Sequence, residues 1–101
     1  DKLPGYNFQK YRMLNNMSVM FLDWGKPEKA LAYLTEAYPL GKEFGGLSEA
    51  ESANNFSKAW RMLGDREKEL SYLRKAVPVL ELNYGSEHPK VVEAKQRLRE
   101  V

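Results

Sequence analysis

Two asparagine doublets, Asn15-Asn16 and Asn54-Asn55, stand thirty-nine residues apart in a chain of 101 residues. A carboxamide both donates and accepts, so it can pair with either polar group of a polypeptide backbone. Asparagine is also a poor residue for a helix interior, and its recurrence in register needs a cause. The alternatives to ligand binding are capping, bridging to water, or solvating a helix face. In the same stripe lie Arg12, Val19, Asp23, Glu51, Lys58 and Arg61, and Gln96 and Arg97 extend it near the C-terminus. Arg12, Lys58 and Arg97 carry the charge needed to hold a carboxylate, although an isolated basic residue on an exposed helix is often only solvated.

Other chemistry finds little support. His88 is the single histidine and there is no cysteine, so a usual zinc site cannot be assembled. Nothing around a serine resembles a nucleophile elbow, and His88 beside Pro89 reads as the start of a helix. The carboxylates Glu49, Glu51 and Glu67 to Glu69 are interspersed with lysines as on an ordinary helix surface. Gly45-Gly46 has neither a preceding strand nor a following Gly-Lys-Ser/Thr, so it is a turn and not a phosphate loop. The expectation is a non-catalytic protein without a metal or other cofactor.

Sixteen basic and fourteen acidic residues leave a net charge of +2, too small an excess to imply nucleic acid or a membrane surface. No apolar run approaches the roughly eighteen residues of a membrane span, and no signal-peptide pattern opens the chain. Lack of cysteine leans towards the cytoplasm. The first residue is Asp1, as expected of a piece of something longer.

The elements that must position the asparagines follow from the punctuation. Gly25-Lys-Pro27, Gly45-Gly46, Gly64-Asp65 and Gly85-Ser86, with Pro4-Gly5 in front, divide the chain into five helix-length segments. Leu14, Met17, Ser18, Phe21 and Trp24 share one helical face. Ala53, Phe56, Ser57, Trp60 and Leu63 repeat that spacing. The windows Gly25 to Pro39 and Gly64 to Pro78 then agree at eight positions, among them Leu34/Leu73, Ala37/Ala76 and Tyr33/Tyr72. Tyr33, Tyr72, Trp24 and Trp60 are expected in the core. Pro39 and Pro78 are read as a shared bend, with the helices continuing beyond them.

A helix–turn–helix unit recurring at this length is a mark of a helical solenoid. Leu14, Met17-Ser18, Phe21, Gly25, Ala30, Leu34, Ala37 and Pro39, and their counterparts Ala53, Phe56-Ser57, Trp60, Gly64, Leu73, Ala76 and Pro78, resemble the tetratricopeptide repeat. The thirty-nine-residue spacing, the asparagine doublets and the linker from Tyr84 to Pro89 resemble the longer subclass found in kinesin light chains. One departure is Glu69, which stands where the first copy has the small Ala30. A charge at a close helix contact is expected to fray that site or face solvent.

The resemblance implies an all-α, right-handed solenoid forming a single domain, with repeats over residues 7–45 and 47–85. A capping helix over residues 88–101 is expected to use Val92 and Leu98 on its apolar side, with Lys95, Arg99 and Glu100 elsewhere. It also implies a binding groove on the inner curve. There an asparagine matching Asn16 or Asn55 often bonds the backbone of an extended peptide, while neighbouring basic residues hold its carboxylates. The implied peptide-binding set is Arg12, Asn15, Asn16, Val19, Asn54, Asn55, Lys58, Arg61 and Arg97, and the expected partner is a protein segment, with no nucleic acid or membrane. Val77 to Val101 also resembles the helical C-terminal region of SET and MYND lysine methyltransferases, which implies a docking part of a larger enzyme. Finally, Tyr6, Phe8 and Tyr11 are read as an uncovered outer face of the first helix, through which the chain would form a homodimer.

Overall fold

Gly25 and Gly64 take φ of +74° and +81°, a conformation that glycine adopts without steric cost. The chain reverses around each with the same bonds. Gly25 and Lys26 donate to the carbonyls of Leu22 and Phe21, at 3.0 and 2.8 Å; Gly64 and Asp65 donate to Arg61 and Trp60, at 3.1 and 2.9 Å. This is the Schellman closure of a helix C-terminus, built twice. Pro27 and Arg66 open the helices that follow, the first with a ring whose missing N–H is not needed there. In the second the Asp65 carboxylate accepts from the Lys68 N–H at 3.0 Å.

The computed structural model describes residues 5–99, and among them the fold is all-α. Its helices are α1 (Tyr6–Asp23), α2 (Pro27–Lys42), α3 (Gly46–Met62), α4 (Arg66–Tyr84) and α5 (Pro89–Arg99). Pro4, Glu100 and Val101, named above, lie outside the described residues. Pro39 and Pro78 sit inside α2 and α4, which run on to Lys42 and Tyr84. At the start of α5 the His88 Nδ1 accepts from the Lys90 N–H at 3.1 Å, so the imidazole caps that helix.

Each helix packs on the next, and α1 also reaches α3. Small residues set the approach. Ser18 and Ser57 are fully buried, and each hydroxyl donates 2.6 Å back to a carbonyl of its own helix, Asn15 or Asn54. That bond satisfies the hydroxyl locally, so the serine behaves as a small core residue. Ala30, Ala37 and Ala76 are fully covered, as are Leu34 and Leu73, each leucine worth about 2–3 kcal/mol in removed apolar surface. Rings fill what remains: Phe21 stacks on Tyr33 at 5.4 Å, and Phe56 on Tyr72 at 4.7 Å.

Four expectations are corrected. Trp24 is 62 % exposed, because it is the C-cap of α1 and lies past the last turn that α2 covers. Trp60 is half-buried, with the Lys68 ammonium 4.2 Å from its ring centre. Tyr11 is buried, its hydroxyl donating 2.7 Å to the Ser48 carbonyl and its ring lying over Gly41, so it does not belong to an outer face. On α5 the covered residues are Val91, Ala94 and Arg97 with Leu98 beside them, whereas Val92 is exposed, because α5 turns a different edge towards α3 and α4.

Candidate interaction surface

Packing consumes much of the asparagine stripe. The Asn15 Oδ1 accepts from the Ser52 hydroxyl and from the Asn55 amide, both at 3.3 Å, tying α1 to α3. On α3 the equivalent Asn54 Oδ1 accepts from Arg97 Nη2 at 2.5 Å, while Arg97 Nη1 donates to the Ser57 hydroxyl at 2.9 Å, tying α3 to α5. One rule therefore serves both joints: the first asparagine of a doublet accepts from the next odd-numbered helix. Asn54, Asn55 and Arg97 are buried and Asn15 is half-buried. Both amide oxygens and both Arg97 Nη groups are thereby paired, as interior polar groups usually are, whereas the buried Arg97 Nε makes no hydrogen bond and lies 3.9 Å from the Glu93 carboxylate.

Glu69 is a further correction. It is only 2 % exposed and α4 continues through it undistorted, so it neither frays nor faces water. Arg66 Nη1 meets its Oε1 at 2.9 Å and Arg61 Nη1 meets its Oε2 at 3.3 Å, with Arg97 Nη1 at 3.9 Å. Arg66 also donates 2.8 Å to the Arg97 carbonyl. Charge-assisted bonds on both carboxylate oxygens offset the cost of removing the ion from water. Arg61 thereby serves the α3–α4 joint, although its side chain stays partly exposed.

What is left outward from the predicted set, besides the salt-bridged Arg61, is Arg12, Asn16 and Val19 on α1 and the partly exposed Lys58 on α3. Arg12 lies over the Phe8 ring, 5.9 Å from its centre, and has no carboxylate partner among the described residues. Lys58 reaches Glu93 of α5 at 3.7 Å, a loose surface pair. Sequence reasoning missed Met62, which is exposed one turn beyond Lys58; Glu51, already in the stripe, accepts from the Tyr84 hydroxyl and lies 3.9 Å from Lys90. The hydrogen bond to Glu51, helped by burial, pushes the Tyr84 phenol up to about 12. Spacing alone signals Met62, four residues after Lys58; nothing in the sequence pairs Glu51 with Tyr84.

Among the described residues no cluster of His, Asp or Glu has the arrangement to hold a metal ion, and no helix is long and apolar enough to cross a membrane. A notch of about 260 Å³ lies between α2, α3 and α4, floored by Gly46, Ala50 and Ala53 and flanked by Tyr38 and Val79. It falls below the roughly 300–1,000 Å³ of small-molecule sites. Compared with protein-family models, with curated proteins and with solved structures, the chain matches none.

Proposed function

We propose that the chain is a tetratricopeptide-type interaction module, non-catalytic, which holds a short segment of a partner protein along the open edges of α1 and α3. Two hairpins closed by identical bonds at Gly25 and Gly64 support the repeat reading. The observation that carries the binding reading is the row left after packing is complete: Arg12, Asn16 and Val19 on α1, then Lys58 and Met62 on α3. The row offers an amide for a peptide backbone, two cations for carboxylates, and apolar surface between them. Asn15, Asn54, Asn55 and Arg97 hold the helices that present it.

So short an array offers little area, and affinity is on the order of micromolar. The test is selection from a displayed random-peptide library, followed by calorimetric titration of the selected peptides with free or amidated C-termini. Arg12→Ala and Asn16→Ala are each expected to weaken binding about tenfold, a loss typical of one removed charge-assisted or amide bond, with unchanged thermal melting. Selected peptides that bind both variants as tightly as the parent chain would refute the assignment of the surface.

A further inference from the structure

On α3, Ser52 and Ala59 flank Asn55 and are fully buried, and Ser52 and Asn55 both donate to Asn15 where α3 approaches α1. Thirty-nine residues earlier the same positions on α1 are Met13, Asn16 and Met20. Met13 is 55 % exposed and Asn16 is exposed. A preceding hairpin docked as α1 docks on α3 would need small residues there. Long, adaptable methionines suit a wider contact with a different partner.

The surroundings of that strip are symmetric. Arg12 and Asp23 lie eleven residues apart, close to three turns, on one edge of the strip; both are exposed, and neither has an ion-pair partner among the described residues. Tyr6 and Trp24 lie eighteen residues apart, five full turns, on the other edge, 44 % and 62 % exposed. Met13 and Met20 stand between the two edges. Each of the three pairs is centred within about two residues of Asn16, so turning the helix end for end carries every member onto its counterpart.

We infer that this face of α1 takes a second copy of the chain, with the two α1 helices antiparallel about a two-fold axis near Asn16. Two-fold symmetry keeps an edge facing its own kind, so Arg12 meets Asp23 of the second copy twice. Met13 packs on the second copy's Met20, Tyr6 approaches its Trp24, and the Asn16 amides meet at the axis, each able to donate and accept. Charge complementarity chooses a second copy over an unrelated helix, because both halves of each pair are already written in one chain. The dimer covers Arg12 and Asn16, so it competes with a peptide on α1. Its test contains no peptide, and its failure leaves the peptide reading untouched.

The experiment is analytical ultracentrifugation of the 101-residue chain at physiological salt across a wide concentration range, with circular dichroism to show that each variant is folded. A mass rising from 11.7 kDa towards twice that value is expected. Arg12→Asp and Asp23→Arg each set like charges face to face and should weaken self-association at least about tenfold. Mixing the two variants restores both attractions and should restore the dimer. A parent chain that stays monomeric up to about 1 mM, the weak limit of measurable association, overturns the inference. So does a dimer indifferent to either charge reversal, or a mixture that stays as monomeric as its components.

Discussion

The Asn54 amide oxygen and the Arg97 guanidinium meet at 2.5 Å inside the protein, with the Ser57 hydroxyl 2.9 Å from the other arm of the same guanidinium. Both side chains are buried, so neither can turn to water if the other is removed. Asn54→Ala should cost about 2–3 kcal/mol, chiefly the desolvation of a guanidinium deprived of an acceptor. Asn16→Ala, one residue from the register partner of Asn54, should stay within about 0.5 kcal/mol because its side chain is exposed. Urea unfolding followed by circular dichroism measures both. Equal midpoints for the two variants would show that the joint between α3 and α5 does not depend on this amide.

Glu69 gives a sharper contrast, because the first repeat has Ala30 at the matching place, fully buried and without charge. Around Glu69 stand Arg61, Arg66 and Arg97; the residues thirty-nine before the first two are Leu22 and Pro27. Glu69→Ala should cost about 3 kcal/mol, and adding Arg97→Leu should give less than the sum of the separate losses, since the stranded cation is then gone. Ala30→Glu should cost at least about 4 kcal/mol, because no guanidinium waits for the new carboxylate. Thermal melts of the four proteins decide it.

The hairpins were legible because glycine, proline and small residues each do one local job, and Gly25, Gly64, Ser18, Ser57, Ala37 and Ala76 do those jobs where their spacing places them. The fate of the asparagines was not legible from one helix at a time. Periodicity puts Asn15 and Asn54 beside the apolar stripe, and whether that edge is open depends on how the next hairpin is rotated. A clue did exist. Asn55 is bracketed by Ser52 and Ala59, which mark a close approach, whereas Asn16 is bracketed by the two methionines. Glu69 looked anomalous for the same reason: Arg61 is on α3 and Arg97 on α5, so two of its counter-charges come from other helices.

The Tyr84 hydroxyl donates to Glu51, and its pKa stands at about 12 against an ordinary 10.0. A raised folded-state value means that the folded protein holds this proton more tightly than the unfolded chain. The associated stability is therefore complete below pH 10 and is lost as pH rises from about 10 to 12. Alkaline titration of tyrosinate absorbance should show a late-ionising phenol, and Tyr84→Phe should remove it. Burial raises Tyr11 and Tyr38 as well, so the alkaline loss of stability should become shallower in Tyr84→Phe without vanishing. If the phenol lost in that variant is one that ionises near pH 10, Glu51 does not hold its proton.

The two repeats solve one packing problem in opposite ways. A Cβ added to Gly41 would lie 2.7 Å from the Tyr11 ring, whereas thirty-nine residues later the pair is Ala50 and Leu80, which share one core cluster. Bulk sits on the first helix in one copy and on the second helix in the other. Tyr11→Ala alone should open a cavity and forfeit the bond to the Ser48 carbonyl, costing about 3–5 kcal/mol. Gly41→Leu alone should overpack the ring and cost about 1–3 kcal/mol, partly offset by the better helix propensity of leucine. The double variant reproduces the arrangement of the second repeat and should be at least about 1 kcal/mol better than the sum of the single losses. A double-mutant cycle by urea unfolding gives that coupling. A value of zero would mean that the two positions do not share one space, and that the compensation between Tyr11–Gly41 and Ala50–Leu80 is accidental.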